Sequence, residues 1–116
     1  MRAVDRGAVR QLEEQLGKES VAELVTTFLA RTPDRLANLR RAVAADDAST
    51  VRGAADSLKG AARSFGAAEM GEIAARIEQD AAAGSLERAD RLVADAAASF
   101  ERTRSEFFSL LARVES

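Results

Sequence analysis

Four charged residues recur at helical spacing in the middle of the chain: Arg52, Asp56, Lys59 and Arg63. At about 100° per residue they share one stripe of a helix, turned away from the apolar positions Val51, Ala55, Leu58 and Ala62. Three cations around one carboxylate suit a surface that meets charged groups of another molecule. The plainer reading is a solvated helix face, where such pairs contribute only about 0.2–0.5 kcal/mol each. Gly53 and Gly60 lie on the same outward side, and each costs roughly 1 kcal/mol relative to alanine in a helix. The chain holds 26 alanines, so a better helix former was at hand. Two bare positions beside Asp56 fit a face that another backbone approaches closely, with drift at a tolerant surface as the alternative. Glu78, on the edge of the inner face of the following helix, either leans toward Lys59 or Arg63 or stands as a surface carboxylate.

The missing residue types narrow the chemistry. The chain has no Cys, His, Trp or Tyr, which removes disulfides, thiolate and imidazole metal ligands, and every Ser/His or Cys/His catalytic pair. No metal site, no cofactor and no enzymatic activity are expected. Lys and Arg number 17 against 19 Asp and Glu, a net charge of -2. That balance gives no reason to expect nucleic acid or an anionic membrane as a partner. No run of 18 apolar residues exists, and the first ten residues carry Arg2, Asp5, Arg6 and Arg10 in place of an apolar leader. A cytoplasmic, monomeric protein is expected.

The elements that would hold this stripe are helices. Alanine richness and a single proline favour helix over sheet, and apolar residues recur three and four apart almost throughout. Six helices are predicted. Val9, Leu12 and Leu16 mark a short one ended by Gly17. Ser20 with Glu23 reads as a capping box opening a second through Val21, Leu24, Val25, Phe28 and Leu29. Thr32-Pro33-Asp34 reads as the start of a third, lined by Leu36, Leu39 and Val43 and closed by Asp46 and Asp47. Asp47 caps the fourth, whose inner face runs Val51, Ala54, Ala55, Leu58, Ala61, Ala62 and Phe65 before Gly66. Met70, Ile73, Ile77 and Ala81 define the fifth, ended by Gly84. Ser85 caps the longest, running from Leu86 and Ala89 through Phe100, Thr103 and Phe107 to Val114. Short connections then require an up-down-up-down four-helix bundle over residues 32–116, with residues 1–31 as a helical cap and the whole chain as one domain.

The segment from Ala54 to Ala67 resembles the signature of histidine-containing phosphotransfer (HPt) domains of two-component phosphorelays. That signature reads Ala-His-x-Leu-Lys-Gly, with a further Gly ten residues after the His. Leu58, Lys59, Gly60 and Gly66 match at those offsets, Asp47 stands where the family often has an acidic helix start, and Glu78 where members carry a Glu or Gln that orients the imidazole. The resemblance extends from about Thr32 onward. It implies a four-helix bundle in which Lys59 neutralises phosphoryl charge and Gly60 lets a receiver domain dock. The place of the phosphoacceptor His, however, holds Asp56, and no His stands anywhere else in the chain.

Asp56 is a poor acceptor in its own right. Acyl phosphates form where acids hold Mg²⁺ over the nucleophile, whereas Asp56 is flanked by Arg52, Lys59 and Arg63, which should lower its pKa and blunt its attack. The leading expectation is a pseudo-HPt module that docks a response-regulator receiver domain or a histidine kinase without relaying phosphate. Its partner-binding residues would be Arg52, Gly53, Asp56, Lys59, Gly60, Arg63 and Glu78. Two alternatives stay open: a phosphotransfer protein whose His was replaced by Asp in this chain or its lineage, and an unrelated helical bundle for protein interaction.

Overall fold

The computed structural model describes residues 2–112, so Val114 lies outside the described residues. Five helices account for most of them: α1 (Arg6–Leu16), α2 (Lys18–Ala44), α3 (Ala48–Ser64), α4 (Ala68–Ala82) and α5 (Ala89–Ala112). Helices α2 to α5 form the bundle. Each packs on its sequence neighbour, α5 returns to α2, and α1 lies against α2. The diagonal pairs make no backbone approach within 8 Å among the described residues, as expected of a square array of antiparallel helices.

The count is five and not six because the second and third predicted helices are one. α2 runs straight through Thr32-Pro33, and residues 31 and 32 belong to the same helix. Its buried stripe, Val21, Val25, Phe28, Thr32, Leu36, Leu39 and Ala42, keeps the three-and-four spacing across the proline without a break. Burial of that continuous stripe overrides the local start signal. Thr32 is therefore not a cap: it is fully buried, and its hydroxyl donates to the Phe28 carbonyl at 2.6 Å. Ser20 is not a cap either, because α2 already begins at Lys18 after Gly17, with no side-chain cap.

The corners after α2, α3 and α4 share one device. At the end of α3 the Ala67 N–H reaches the Ala62 carbonyl and the Gly66 N–H the Arg63 carbonyl. At the end of α4, Ser85 and Gly84 repeat the pattern onto Asp80 and Ala81, and at the end of α2, Asp47 and Asp46 repeat it onto Ala42 and Val43. This is the Schellman motif, which needs a left-handed residue just past the helix. Gly66 (φ 75°), Gly84 (φ 78°) and Asp46 (φ 53°) occupy those places. Ser85 is thereby taken into the end of α4 and does not cap α5, which starts at Ala89. The intervening turn is pinned by Arg88, whose guanidinium grips both Asp80 carboxylate oxygens at 2.9 and 3.0 Å. Asp47 does cap α3, as predicted: its carboxylate accepts from the Thr50 N–H at 3.1 Å and the Thr50 hydroxyl at 2.6 Å. Those two bonds hold its carboxyl below the ordinary value, the hydroxyl contributing most.

The core is aliphatic, with small residues where helices approach closely. Val51, Ala55, Leu58 and Ala62 of α3 are fully buried against Met70, Ala74 and Ile77 of α4. Phe28 stacks at a tilt on Phe65 (5.4 Å between centroids) and edge-on to Phe107 (6.5 Å), tying α2, the end of α3 and α5 together. A feature absent from the sequence reading is the strap before α1, where Ala3 and Val4 are buried. Their N–H groups donate to the two carboxylate oxygens of Glu106 on α5, and the Asp5 N–H donates to the Gly66 carbonyl at 2.7 Å.

Candidate functional site

Burial of Val51, Ala55, Leu58 and Ala62 fixes the rotation of α3, and the rotation decides what its other side presents. Arg52, Gly53, Asp56, Gly60 and Arg63 all face solvent, and Lys59 lies at the groove between α3 and α4. The Asp56 side chain is 63% exposed, against 23% for Lys59 and 20% for Glu78. The predicted stripe is therefore a true outer face.

Of the two routes open to Glu78, the structure takes the one to Lys59. Lys59 Nζ donates to Glu78 Oε1 at 2.6 Å, crossing from α3 to α4. The same ammonium stands 3.4 Å from Asp56 Oδ1, one turn back on its own helix. Its pKa is raised, first by the bond to Glu78 and then, against the opposing effect of desolvation, by Asp56. Asp56 is held below its ordinary carboxylate value of 3.8. Glu78 acts on Asp56 through the Lys59 ammonium they share, since two ionised carboxylates have no proton to exchange. Lys59 itself, by hydrogen bond and charge, and then the charge of Arg52 lower the carboxyl as expected from the cations.

The two surface glycines have no structural reason of their own. A Cβ at Gly53 or at Gly60 would meet nothing within 4 Å, and neither has a positive φ. Gly66 differs: its φ is left-handed, and a Cβ there would come within 3.1 Å of the Asp5 carbonyl. Gly66 therefore serves the fold, while Gly53 and Gly60 leave open space above α3.

Three neighbours of the site escaped the sequence reading. Gly71 is buried on α4, and a Cβ there would stand 3.2 Å from Arg63 Cγ. It lets the Arg63 stem lie across α4 while the residue stays exposed. A glycine between the core positions Met70 and Ile73 was a usable signal for that close approach. Arg35 on α2 donates to the Ser57 hydroxyl on α3 at 2.7 Å, beside Asp56. No pattern in the sequence announces that pair, because it depends on the register between two helices. Among the described residues no cluster of acidic side chains could hold a metal ion, and no helix is long and apolar enough to cross a membrane.

Comparison with known proteins settles the family. The Hpt domain family model matches residues 23–112. The chain belongs to the Hpt domain family. This Hpt domain is also similar to the crystal structure of histidine-containing phosphotransfer protein B (HptB) from Pseudomonas aeruginosa PAO1. The two share 29% identity over 96% of each chain, with a TM-score of 0.89. No curated protein matches the sequence. The family match sets aside an unrelated helical bundle and places the Hpt domain among the modules of two-component phosphorelays. It begins at residue 23, inside α2, so it covers all of α3, α4 and α5.

Proposed function

We propose that residues 1–116 act as one monomeric pseudo-HPt module, which docks a receiver domain or a histidine kinase through the outer face of α3 and does not relay phosphate. What supports this reading is one juxtaposition. The exposed position next to the Leu58-Lys59-Gly60 block carries Asp56 in a chain without any His, while the space above Gly53 and Gly60 stays open. Docking needs the open face and its charges, both of which remain. Transfer needs a nucleophile, and a carboxylate already engaged with Lys59, with no metal-binding acid cluster among the described residues, is a weak one.

The test is direct. The protein is titrated into the receiver domains encoded by its own genome and separately incubated with the same receivers carrying radiolabelled phosphate. Saturable binding with no label on the protein is expected. Failure to bind any receiver or kinase ends the docking reading, and label retained on the protein ends the non-transferring one.

A second reading, loss of the His from an otherwise working transfer protein, is favoured by the intact surroundings of position 56. Lys59 and Glu78 stand together at the groove, ready to flank an imidazole. Asp56→His then gains label from a phosphorylated receiver. A folded Asp56→His protein that takes up no label from any cognate receiver counts against it.

A further inference from the structure

The charges at the centre of the docking face do not cancel. Lys59 is the cation nearest Asp56, and its ammonium is already held by Glu78 at 2.6 Å and by Asp56 at 3.4 Å. Two carboxylates against one ammonium leave one net negative charge, and the more exposed carboxylate, Asp56, carries it outward. Of the other cations of the stripe, Arg52 stands one turn before Asp56 and acts on it by charge without an ion pair within 4 Å, and Arg63 stands two turns beyond it. Arg52 and Arg63 are eleven residues apart, about 16 Å along the helix at 1.5 Å per residue, with Asp56 between them.

This layout separates attraction from discrimination. The outer arginines lie within about one Debye length of a docked surface and draw an acidic partner face toward α3. At the centre, the group that meets the partner is an anion with no N–H or O–H to donate. A phosphoryl group on the partner adds negative charge and further acceptor oxygens at that point.

We propose that the α3 face reads the phosphorylation state of its partner, accepting the unphosphorylated receiver domain and rejecting the aspartyl-phosphate form. The proposal rests on the docking reading above and adds to it a direction of regulation. Phosphorylation of the receiver releases this protein, and dephosphorylation lets it return. Glu78 is a positioning residue in this scheme, since it keeps the Lys59 ammonium in the groove, away from the partner's phosphoryl group.

The experiment compares affinity for one cognate receiver, with Mg²⁺ present throughout, in the free form and with beryllium trifluoride as the phosphoryl probe. Wild type should bind the beryllofluoride form about tenfold more weakly or worse, like charges in contact being costly. Asp56→Asn keeps the shape and removes the charge, so the two affinities should converge to within about twofold. Adding Glu78→Gln frees Lys59, and the double variant should prefer the beryllofluoride form. Equal wild-type affinities, or tighter binding of the beryllofluoride form, overturn the state-reading proposal and leave docking intact. A preference that survives in Asp56→Asn overturns it as well. Absence of binding to either form overturns docking itself.

Discussion

Lys59 on α3 and Glu78 on α4 are joined across the helix groove by a 2.6 Å charge-assisted hydrogen bond, nineteen residues apart in sequence. Asp56 is the exposed neighbour of this pair, 3.4 Å from the same ammonium. The consequence is that the exposed centre of the outer α3 face is an anion held in place by its surroundings.

That arrangement predicts a measurable titration. Replacing Lys59 by Met removes the ammonium that helps keep Asp56 ionised, so the Asp56 carboxyl should move up toward its ordinary 3.8. Carboxyl-carbon NMR titration of both proteins checks this, and an unmoved Asp56 would show that the ammonium is not its partner. The stability linkage has a definite sign. Asp56 titrates lower in the folded than in the unfolded chain, so its contribution is present above about 3.8 and is lost as pH falls through the lowered value. Lys59 is raised in the fold, so its contribution holds below 10.5 and disappears as pH climbs through the raised value.

Gly60→Arg tests the proposed docking face. A side chain there meets nothing within 4 Å of its Cβ, and arginine is the better helix former by roughly 0.8 kcal/mol. Thermal stability should be equal or slightly raised while receiver binding is lost. Unchanged affinity in titration calorimetry would show that partners use another surface.

Pro33→Ala should stabilise the protein. Pro33 sits inside α2 on its exposed side and offers no N–H to the helix ladder. Alanine restores the missing donor and relieves the ring's crowding of the preceding turn, a gain of about 1–3 kcal/mol. Urea denaturation should show a higher midpoint with an unchanged slope. A lower midpoint would mean that the proline's restriction of the unfolded chain outweighs its cost to the helix.

Glu106→Ala should release the strap before α1. It leaves the N–H groups of Ala3 and Val4 without their acceptor, at a cost of about 1–3 kcal/mol for buried donors. Hydrogen exchange should quicken at those two amides and at Asp5, which is bonded to Gly66, while Leu58 and Ala62 in the core stay protected. Equal exchange before and after would show that burial of Ala3 and Val4 alone holds the strap.

The sequence by itself determined that this protein is helical, where α3 and α4 lie, and which side of α3 faces out. Local rules suffice for those points: Asp47 caps, Gly66 and Gly84 take left-handed turns, and the spacing of Val51, Ala55, Leu58 and Ala62 sets one buried face. Asp56, Lys59 and Gly60 could be placed together on the opposite side from their numbers alone. The same local rules misread Thr32-Pro33, because the burial of Phe28, Thr32 and Leu36 along one stripe outweighs a start signal spanning three residues. Only the tertiary structure decided that Glu78 takes Lys59 and leaves Arg63, that Gly71 admits the Arg63 stem, and that Glu106 gathers Ala3 and Val4. Each is a contact between segments distant in sequence. Helical periodicity gives the direction a residue faces, but the axial register of one helix against another is set by the packing of the whole core.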